Sequence, residues 1–287
     1  MTGSNQHHKL PISVILIIRN EEPVIARCLK SCADLVDEII VIHDGPCHDR
    51  SLEICRQFTD QVYVEPFTGD PGCYRVQALQ QTNNNWILLL DADEFLSDEL
   101  RQQLPRLIND PRYQGYNFLW PTWRHGRYYY AYHKRALVDK RYFYLIGIGH
   151  EYLKPVQAGV AVLTVPFILE HKPLHDNLTF SSFRTKWLPW VRRRAQSLNQ
   201  PFSTFATFNC PLTSWEPRMR YRLKYPLTLG LIGSFIVHNL LGLYYFLTKR
   251  RWIFLKSGFL VSLYHATLYY YIWKLRRQTD VKPGSRV

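Results

Sequence analysis

The sequence predicts an α/β fold: a doubly wound, mostly parallel sheet with flanking helices, followed by membrane-associated helices at the C-terminal end. Three observations support this prediction. Apolar runs typical of buried strands alternate with segments of helical periodicity up to about residue 110. The fourth of these runs ends directly against Asp91. Residues 227–287 combine long apolar runs with many Lys and Arg residues.

The first half of the predicted sheet alternates strands and helices regularly. Its strands are continuous runs of Ile, Val and Leu, as in parallel strands that are covered on both faces. Each helix is recognised by apolar residues at three- and four-residue spacing. The alternation is typical of a nucleotide-binding sheet. The elements are strand 12–18, helix 23–35, strand 38–44, helix 51–58, strand 61–67, helix 77–82 and strand 86–90.

The second half of the sheet has a different texture. From residue 116 to residue 149 the sequence is rich in aromatic and β-branched residues, interrupted by Pro121 and Gly126. A further strand-like run, VAVLTVPFILEH, covers residues 160–171. These segments predict strands that form a wall on the substrate side of the domain.

Three carboxylates, Asp91, Asp93 and Glu94, follow the fourth strand. Ligands bind at the carboxyl edge of open α/β sheets, and carboxylates pressed together there repel unless a cation or a proton relieves them. The alternative is that Asp93 or Asp98 caps a helix starting near Phe95, which would explain one carboxylate and not three. The pattern therefore predicts a site for a hard divalent cation, Mg²⁺ or Mn²⁺.

Basic charge is concentrated at the C-terminal end of the chain. Residues 218–287 hold 13 Lys and Arg residues and a single acid, Asp280, whereas the first 217 residues are close to neutral. The same segment is also the most apolar part of the chain. The charge therefore favours an anionic membrane surface over a nucleic acid, and we expect no nucleic-acid partner.

Two apolar runs lie within this basic segment. Residues 228–247 carry no formal charge and are long enough to cross a bilayer core, whereas residues 252–273 include Lys256 and His265. In a membrane-spanning hairpin, the basic residues 249–251 would lie on the side opposite to the other basic clusters, against their preference for the cytoplasmic side. The sequence thus favours a monotopic or re-entrant attachment at the cytoplasmic face.

Several motifs occur in one order along the chain: RNEE at 19–22, HDGPCHD at 43–49, Arg75, WILLLDADE at 86–94, GHE at 149–151 and His171. Their combination resembles family 2 glycosyltransferases of the GT-A (Rossmann-like) fold, in particular the branch with lipopolysaccharide-core glucosyltransferase-like proteins. The resemblance implies three regions, the first of which has two halves. These are a GT-A domain at 1–180 with a nucleotide-sugar half at 10–110 and an acceptor-side half at 111–180, an amphipathic linker at 181–226, and a membrane-associated helical tail at 227–287.

The resemblance also implies a site for a UDP- or GDP-sugar donor. Asp44 would accept hydrogen bonds from the base or ribose, and Asp91 would reach the ribose. Arg75 would bind the diphosphate, because a guanidinium matches phosphate oxygens. The alternative interpretation is a set of ordinary polar residues at strand ends. The predicted nucleotide-sugar residues are Arg19, Asn20, Glu21, Asp44, Arg75, Asp91 and Ala92.

The remaining site residues concern the metal and the acceptor. Asp93 is the predicted metal ligand, and His171 would complete the metal or diphosphate site, unless it is a structural histidine. By resemblance, Glu151 is the general base that activates the acceptor. His150 would orient it or contact phosphate, unless the two residues are a surface pair, and Glu94 is assigned to the acceptor and diphosphate side.

The predicted function is that of a membrane-associated, metal-dependent, inverting glycosyltransferase, with a glycan acceptor that we expect to be lipid-linked. The commoner form of the second motif has a Ser-Thr pair before its later Asp, whereas Pro46, Cys47 and His48 precede Asp49 here. The resemblance therefore supports a site role for Asp44 more than for Asp49. A sugar-phosphate nucleotidyltransferase would have a Gly-rich phosphate-binding loop after the first strand, and the sequence RNEEP at 19–23 contains no glycine. Asp91, Asp93 and Glu151 argue against a catalytically silent membrane scaffold or glycan-binding protein.

Overall fold

The computed structural model describes residues 9–124, 127–149, 153–176, 178–214 and 227–280. The described chain divides into two compact units. The first unit extends to Leu174 and includes Ala206–Pro211. The second comprises His175–Phe205 and the residues from Leu212 onward.

The first unit alternates strands and helices in its first half and contains mainly strands in its second half, as the sequence predicts. Its elements are β1 (Leu10–Ile18), α1 (Glu22–Lys30), β2 (Val36–Asp44), α2 (Ser51–Cys55), β3 (Val62–Glu65), α3 (Gly72–Gln81), β4 (Trp86–Leu90), β5 (Glu94–Leu96), α4 (Asp98–Ile108), β6 (Gly115–Arg124), β7 (Arg127–Asp139), β8 (Phe143–Ile146), β9 (Lys154–Pro155), β10 (Val162–His171) and β11 (Thr207–Phe208).

Eight of these strands form one sheet in the order β3-β2-β1-β4-β7-β6-β10-β5. The first four are parallel to one another, and β6 is parallel to β10. The long strand β7 runs antiparallel to both of its neighbours, β4 and β6, and β5 runs antiparallel to β10. The predicted mostly parallel sheet is therefore confirmed.

Helices cover both faces of this sheet, which explains the continuous apolar runs of its strands. Val14 and Leu16 of β1 belong to a buried core that α1 and α4 close with Ile25 and Leu104. The residue between them, Ile15, faces a second core that α3 helps to close. Because alternate residues of a strand point to opposite faces, both faces of β1 need apolar side chains.

Strand β1 lies between β2 and β4. Strands β2 and β3 are therefore added on one side of β1, and β4 is added on the other side. The loops after β1 and β4 therefore leave the sheet in different directions. In open α/β sheets such a switch point opens a crevice at the carboxyl ends of the strands, where ligands bind. The RNEE and DADE motifs both lie at this crevice.

A small antiparallel sheet, in the order β11-β8-β9, completes the first unit. Thr207 and Phe208 of β11 pair with Ile146 and Leu145 of β8. The predicted linker at 181–226 therefore contributes a strand to the first unit. The sequence prediction missed this return because two residues are too few to show a periodicity.

The chain around the DADE motif differs from the helix that we considered as an alternative. Phe95 lies in β5, and α4 begins only at Asp98. Its N-cap is Ser97, whose hydroxyl accepts a hydrogen bond from the Leu100 N–H at 3.2 Å. Neither Asp93 nor Asp98 has the capping role, so the carboxylates after β4 need another explanation.

The second unit is helical. It contains α5 (Phe180–Ser182), a π-helical turn (Phe183–Trp187), α6 (Leu188–Leu198), α7 (Leu227–Lys249) and α8 (Ile253–Asp280). Among the helices that the structure describes, one is long and apolar enough to cross a membrane by length and composition, namely Thr228–Lys249. Most of its large apolar side chains are exposed.

Candidate active site

The loops after β1 and β2 are joined through His43, a fully buried residue of β2. Its Nε2 accepts a hydrogen bond from the Asn20 N–H at 3.2 Å, and its Nδ1 lies 2.7 Å from the Gly45 carbonyl oxygen. Asn20 has a left-handed backbone, with φ of 51°. Its side-chain oxygen accepts from the His48 N–H at 2.9 Å. Asn20 therefore shapes the crevice through contacts within the protein.

A second set of hydrogen bonds joins the same loops, and its acceptors are Ser51 and Asp49. The Glu21 N–H donates to Ser51 Oγ at 2.6 Å. The carboxylate of Asp49 accepts from the backbone N–H groups of Ser51 and Glu22 at 2.9 and 3.1 Å. Partial burial favours the neutral acid, but the hydrogen bonds from Ser51, Glu22 and Cys47 outweigh it and lower the pKa of Asp49 to about 2. Asp49 thus has a structural role.

Asp44, at the end of β2, holds the loop between β3 and α3. Its carboxylate accepts from the N–H and hydroxyl of Thr68 at 2.7 and 3.1 Å and from the Gly69 N–H at 2.9 Å. The loop places Phe67 beneath Arg19, whose guanidinium carbon lies 3.8 Å from the centre of the ring. Because a carboxylate has about four lone-pair sites, Asp44 keeps limited capacity for a nucleoside.

Asp91 lies at the centre of an ionic cluster after β4. Its Oδ1 accepts from Arg75 Nη2 and its Oδ2 from Lys134 Nζ, both at 2.9 Å. Lys134 also donates to both oxygens of Glu94, at 2.5 and 2.6 Å. Glu94 further accepts from the Asp91 N–H at 2.9 Å and from the Trp120 indole at 2.6 Å. Two cations thus balance two carboxylates.

The two carboxylates of this cluster have different environments. The Asp91 side chain is 43% exposed, whereas that of Glu94 is fully buried. Loss of hydration alone would raise the pKa of Asp91, but the charges of Lys134 and Arg75 lower it below its usual range. Burial raises the pKa of Glu94 despite the same lysine. Glu94 therefore lies behind Asp91 and supports it, instead of facing an acceptor as the sequence predicted.

Asp93 and His171 form a second pair beside this cluster. Asp93 Oδ2 lies 3.4 Å from His171 Nε2, and the indole of Trp120 stacks on the imidazole with ring centres 4.0 Å apart. His171 ends β10 and pairs with Glu94 of β5 in the sheet register. The pairing of β5 with β10 thus brings a histidine to the DADE motif from 77 positions further along the chain.

The donor atoms of this pair fit a divalent cation. In octahedral coordination at about 2.1 Å, adjacent ligand atoms are about 3 Å apart, which is close to the Asp93–His171 separation. His171 Nδ1 is buried and has no hydrogen-bond partner among the residues that the structure describes, and Trp120 stacks on the ring. Within the described residues no group of three or more His, Cys, Asp or Glu side chains could hold a metal ion. The remaining ligands would be diphosphate oxygens and water, as is usual for Mg²⁺.

The predicted general base, Glu151, and its neighbour His150 lie outside the described residues. Gly149, which precedes His150, is anchored by a hydrogen bond from its N–H to Asp70 Oδ2 at 2.9 Å. The other oxygen of Asp70 accepts from the Gly72 N–H at 3.0 Å, at the start of α3. Asp70 thus ties Gly149 to the N-terminal end of α3, the helix that carries Arg75. Ala92, between the two aspartates, is buried.

Lys134 is the member of this ionic cluster that the sequence analysis missed. It lies in β7, and its partner across the strands is Phe118 of β6, a fully buried residue. The signal in the sequence was a lysine within a β-prone run, followed by Arg135 and then by the apolar residues 136–138. A register shift between the pairs Tyr116–Leu137 and Asn117–Arg135 breaks the alternation, so its face could not be predicted.

Comparison with known proteins assigns this chain to a family. The family model described as glycosyl transferase family 2 matches residues 13–171, which is more than half of the chain. An uncharacterised glycosyltransferase of Rickettsia felis is 37% identical over 108 residues, covering 37% of this chain and 38% of that protein. The lipopolysaccharide core biosynthesis glycosyltransferase LpsC of Rhizobium meliloti is 33% identical over 108 residues, covering 35% and 38%.

Among solved structures, the mannosyltransferase PcManGT from Pyrobaculum calidifontis, in complex with GDP-Man and Mn²⁺, is 12% identical, with a TM-score of 0.45. The match covers 91% of this chain and 88% of that chain. The chain spans little more than a third of the length of the curated relatives that it matches first, with 36% and 38% of their length covered.

Proposed function

The chain belongs to glycosyl transferase family 2, and on this premise we propose that it transfers a sugar from a nucleotide-sugar donor to an acceptor hydroxyl with inversion at the anomeric carbon. The observation that carries the proposal is the position of Asp91 and Asp93 at the switch point of the sheet. Asp91 is held there by Arg75 and Lys134, and Asp93 lies beside His171.

The donor's nucleoside would bind between the loops after β1 and β3. Arg19 and Phe67 supply a flat cationic and aromatic surface there, and such surfaces stack well on a nucleobase. The free acceptor capacity of Asp44 would contact the base or ribose. Asp91, whose carboxylate is partly exposed, is placed to accept from the ribose hydroxyls.

The diphosphate would lie over Asp91 and Asp93. Asp93 and His171 would hold a divalent cation, Mg²⁺ or Mn²⁺, together with diphosphate oxygens. When bound, such a cation stabilises the negative charge of the departing diphosphate as a Lewis acid. Arg75 can move from Asp91 to the phosphates, because its side chain is 22% exposed and its guanidinium forms one ion pair to Asp91.

Transfer would proceed in a single displacement. The acceptor oxygen attacks the anomeric carbon on the side opposite to the diphosphate, and the bond from that carbon to the β-phosphate oxygen breaks. The diphosphate leaves with the bonding electron pair. The carboxylate of Glu151 accepts the proton of the acceptor hydroxyl, and His150 orients that carboxylate.

The acceptor would be a lipid-linked glycan at the cytoplasmic face of the cell membrane. Support comes from the exposed apolar side chains of α7 and from the basic residues that flank α7 and α8. A relative named as a lipopolysaccharide core enzyme agrees with an envelope glycan as acceptor. We therefore propose a role in cell-envelope polysaccharide or glycolipid synthesis.

A thermal-shift screen of UDP-, GDP- and dTDP-sugars, each with and without Mn²⁺, tests this function. We expect one nucleotide to stabilise the protein in a metal-dependent manner, and the same donor to be hydrolysed slowly without an acceptor. A protein that binds none of them would contradict the proposal. Binding without hydrolysis or transfer would instead indicate a catalytically silent member of the family.

A further inference from the structure

Helix α7 has a broad apolar surface that no described residue covers. One stripe of it consists of large side chains at three- and four-residue steps, which lie on one side of a helix. Each of these side chains is between 42% and 63% exposed, and large apolar neighbours on both sides of the stripe are exposed as well. The stripe comprises Leu229, Ile232, Ile236, Leu240, Leu243 and Leu247.

The opposite side of α7, which packs against α8, is small and polar. Gly230, Ser234, His238 and Gly242 follow one another at four-residue steps. A Cβ on Gly242 would lie 2.7 Å from a backbone oxygen of α8, so the two helices approach closely. The imidazole of His238 stacks on that of His265 at 4.5 Å. Helices packed in lipid have small and polar residues at their interface and large apolar residues on the surface that faces the lipid, which is the pattern of α7.

Helix α8 packs against α6 and its preceding turn through a different face. The rings of Phe180 and Phe259 are 6.1 Å apart, as are those of Trp187 and Tyr264. Further along, Arg192 Nε donates to the Tyr271 hydroxyl at 2.8 Å. The three contacts advance in the same direction along both segments. Residues 180–192 therefore run beside residues 259–271 of α8, over about 18 Å of its axis.

This arrangement is incompatible with a hairpin that crosses the bilayer. Arg184, Lys186 and Arg192 are exposed on the segment beside α8. If α8 crossed the bilayer, these three cations would lie at the depth of the hydrocarbon, where charged side chains are costly and occur facing water or other protein. The side chains of α7, in contrast, carry no charge from residue 228 to residue 248.

We propose that α7 lies within the hydrocarbon of a single leaflet, parallel to the membrane, with α8 above it and α6 at the level of anionic lipid phosphates. The inference deepens the membrane attachment of the proposed function and rests on it. In this orientation the cations of α6, of the turn 249–251 and of residues 274–277 all reach phosphates of one leaflet. No basic cluster then crosses the membrane, which satisfies the preference of cations for the cytoplasmic side.

The accessibility of the turn between α7 and α8 tests this orientation. A cysteine replaces Arg250 in the full chain. The three partly exposed native cysteines, Cys47, Cys73 and Cys210, are first replaced by serine, and the other three are kept because they are buried. A membrane-impermeant maleimide is added to inverted and to right-side-out membrane vesicles. The matched control is Gln278→Cys, which is exposed near the end of α8.

We expect both introduced cysteines to react in inverted vesicles and neither to react in right-side-out vesicles. Reaction of the 250 position from the outer face alone would overturn the proposal, because α7 would then cross the bilayer. Protection from both faces would also overturn it, since the turn would lie inside the membrane. Transfer is measured on the same vesicles, so a crossing hairpin with intact transfer rejects this inference and leaves the proposed function standing.

Binding to vesicles of phosphatidylcholine with 30% phosphatidylglycerol tests the buried face itself. Leu240→Glu places a charge in the middle of the apolar stripe, at a side chain that is 59% exposed. We expect at least a tenfold loss of vesicle binding. Gln102→Glu, on the exposed side of α4, adds the same charge and should bind like wild type. Equal binding of both variants would overturn the insertion of α7.

Discussion

The ammonium of Lys134 lies 2.5 Å from Oε1 of Glu94, a carboxylate with no exposed side-chain surface. The same ammonium is 2.9 Å from Asp91 Oδ2. Lys134 therefore links a carboxylate that is wholly inside the protein to one that faces the proposed donor. Burial would lower the pKa of Lys134, but Asp91 and Glu94 raise it above its usual range. The lysine is thus a permanent cation that positions Asp91.

Replacing this cation should damage both stability and donor binding. Lys134→Met keeps the length of the side chain but leaves Glu94 buried beside Asp91 without a cation. Breaking a buried ion pair in this way costs about 3–5 kcal/mol. We expect that loss in urea unfolding and a large loss of nucleotide affinity in titration calorimetry, because Asp91 loses one of the two cations that hold its carboxylate.

The control is Lys140→Met, which removes a second partly buried lysine. Lys140 Nζ donates to the backbone and hydroxyl oxygens of Thr82 at 2.6 and 2.7 Å, before β4 begins. This variant should lose stability and keep wild-type nucleotide affinity. If Lys134→Met also kept its affinity once its lower stability was allowed for, Asp91 would not depend on Lys134 for its position.

Acid should weaken the junction of the loops after β1 and β2. The pKa of Asp49 is lowered from 3.8 to about 2 in the folded protein. A lowered folded-state pKa gives stability that is present above pH 3.8 and is lost as the pH falls toward 2. Because Asp49 is largely hydrated, we expect no more than about 1 kcal/mol. Asp49→Asn should reduce the slope of unfolding free energy against pH in this window, and an unchanged slope would refute the assignment.

The proposed base can be separated from the donor site by kinetics. Glu151→Gln keeps the volume of the side chain and removes the proton acceptor, so transfer should fall by about 10² to 10⁴-fold while donor and metal binding persist. Transfer within about threefold of wild type would reject Glu151. Asp139, an acidic residue at the end of β7, is no alternative base, since it pairs in register with Trp86, at the end of β4 remote from Asp91.

The close packing of α7 on α8 predicts different effects at two glycines. A Cβ at Gly258 would lie 2.7 Å from the His238 carbonyl oxygen, whereas a Cβ at Gly233 would meet, beyond its own stretch of helix, no atom of the described residues within 4 Å. Gly258→Ala should destabilise the helical unit by about 1–3 kcal/mol through overpacking. Gly233→Ala should be neutral or slightly stabilising, because alanine favours a helix. Equal unfolding midpoints in detergent would contradict the packing.

The sequence predicted the parallel strands and the edge at which the site lies, because both depend on local patterns. Continuous apolar runs identify strands that are covered on both faces, and in a parallel sheet the residues after such runs meet at one edge. In the structure Asp44 ends β2, and Asp91 and Asp93 follow β4, at this edge. The approach of His171 to Asp93 depends on the pairing of β5 with β10.

The roles of individual polar groups were harder to predict, because they depend on contacts between distant segments. Asp44 was expected to contact the donor, yet three hydrogen bonds from Thr68 and Gly69 occupy much of its carboxylate. Glu94 looked like part of an exposed acidic motif, but the β-structure that follows turns it inward. Lys134 lies in β7, which is antiparallel to its neighbours and has a register shift against β6. The periodicity of the sequence reveals neither feature.

The central claim is that Asp93 and His171 hold the divalent cation that binds the donor diphosphate. Calorimetric titration of the selected nucleotide, with Mn²⁺ and with excess chelator, tests it most directly in wild type, in Asp93→Asn and in the control Asp98→Asn on the exposed first turn of α4. We predict that Mn²⁺ strengthens binding to wild type and to the Asp98 variant, and that Asp93→Asn abolishes this gain while its unfolding midpoint stays near that of wild type. An unchanged Mn²⁺-dependent affinity in Asp93→Asn would contradict the claim.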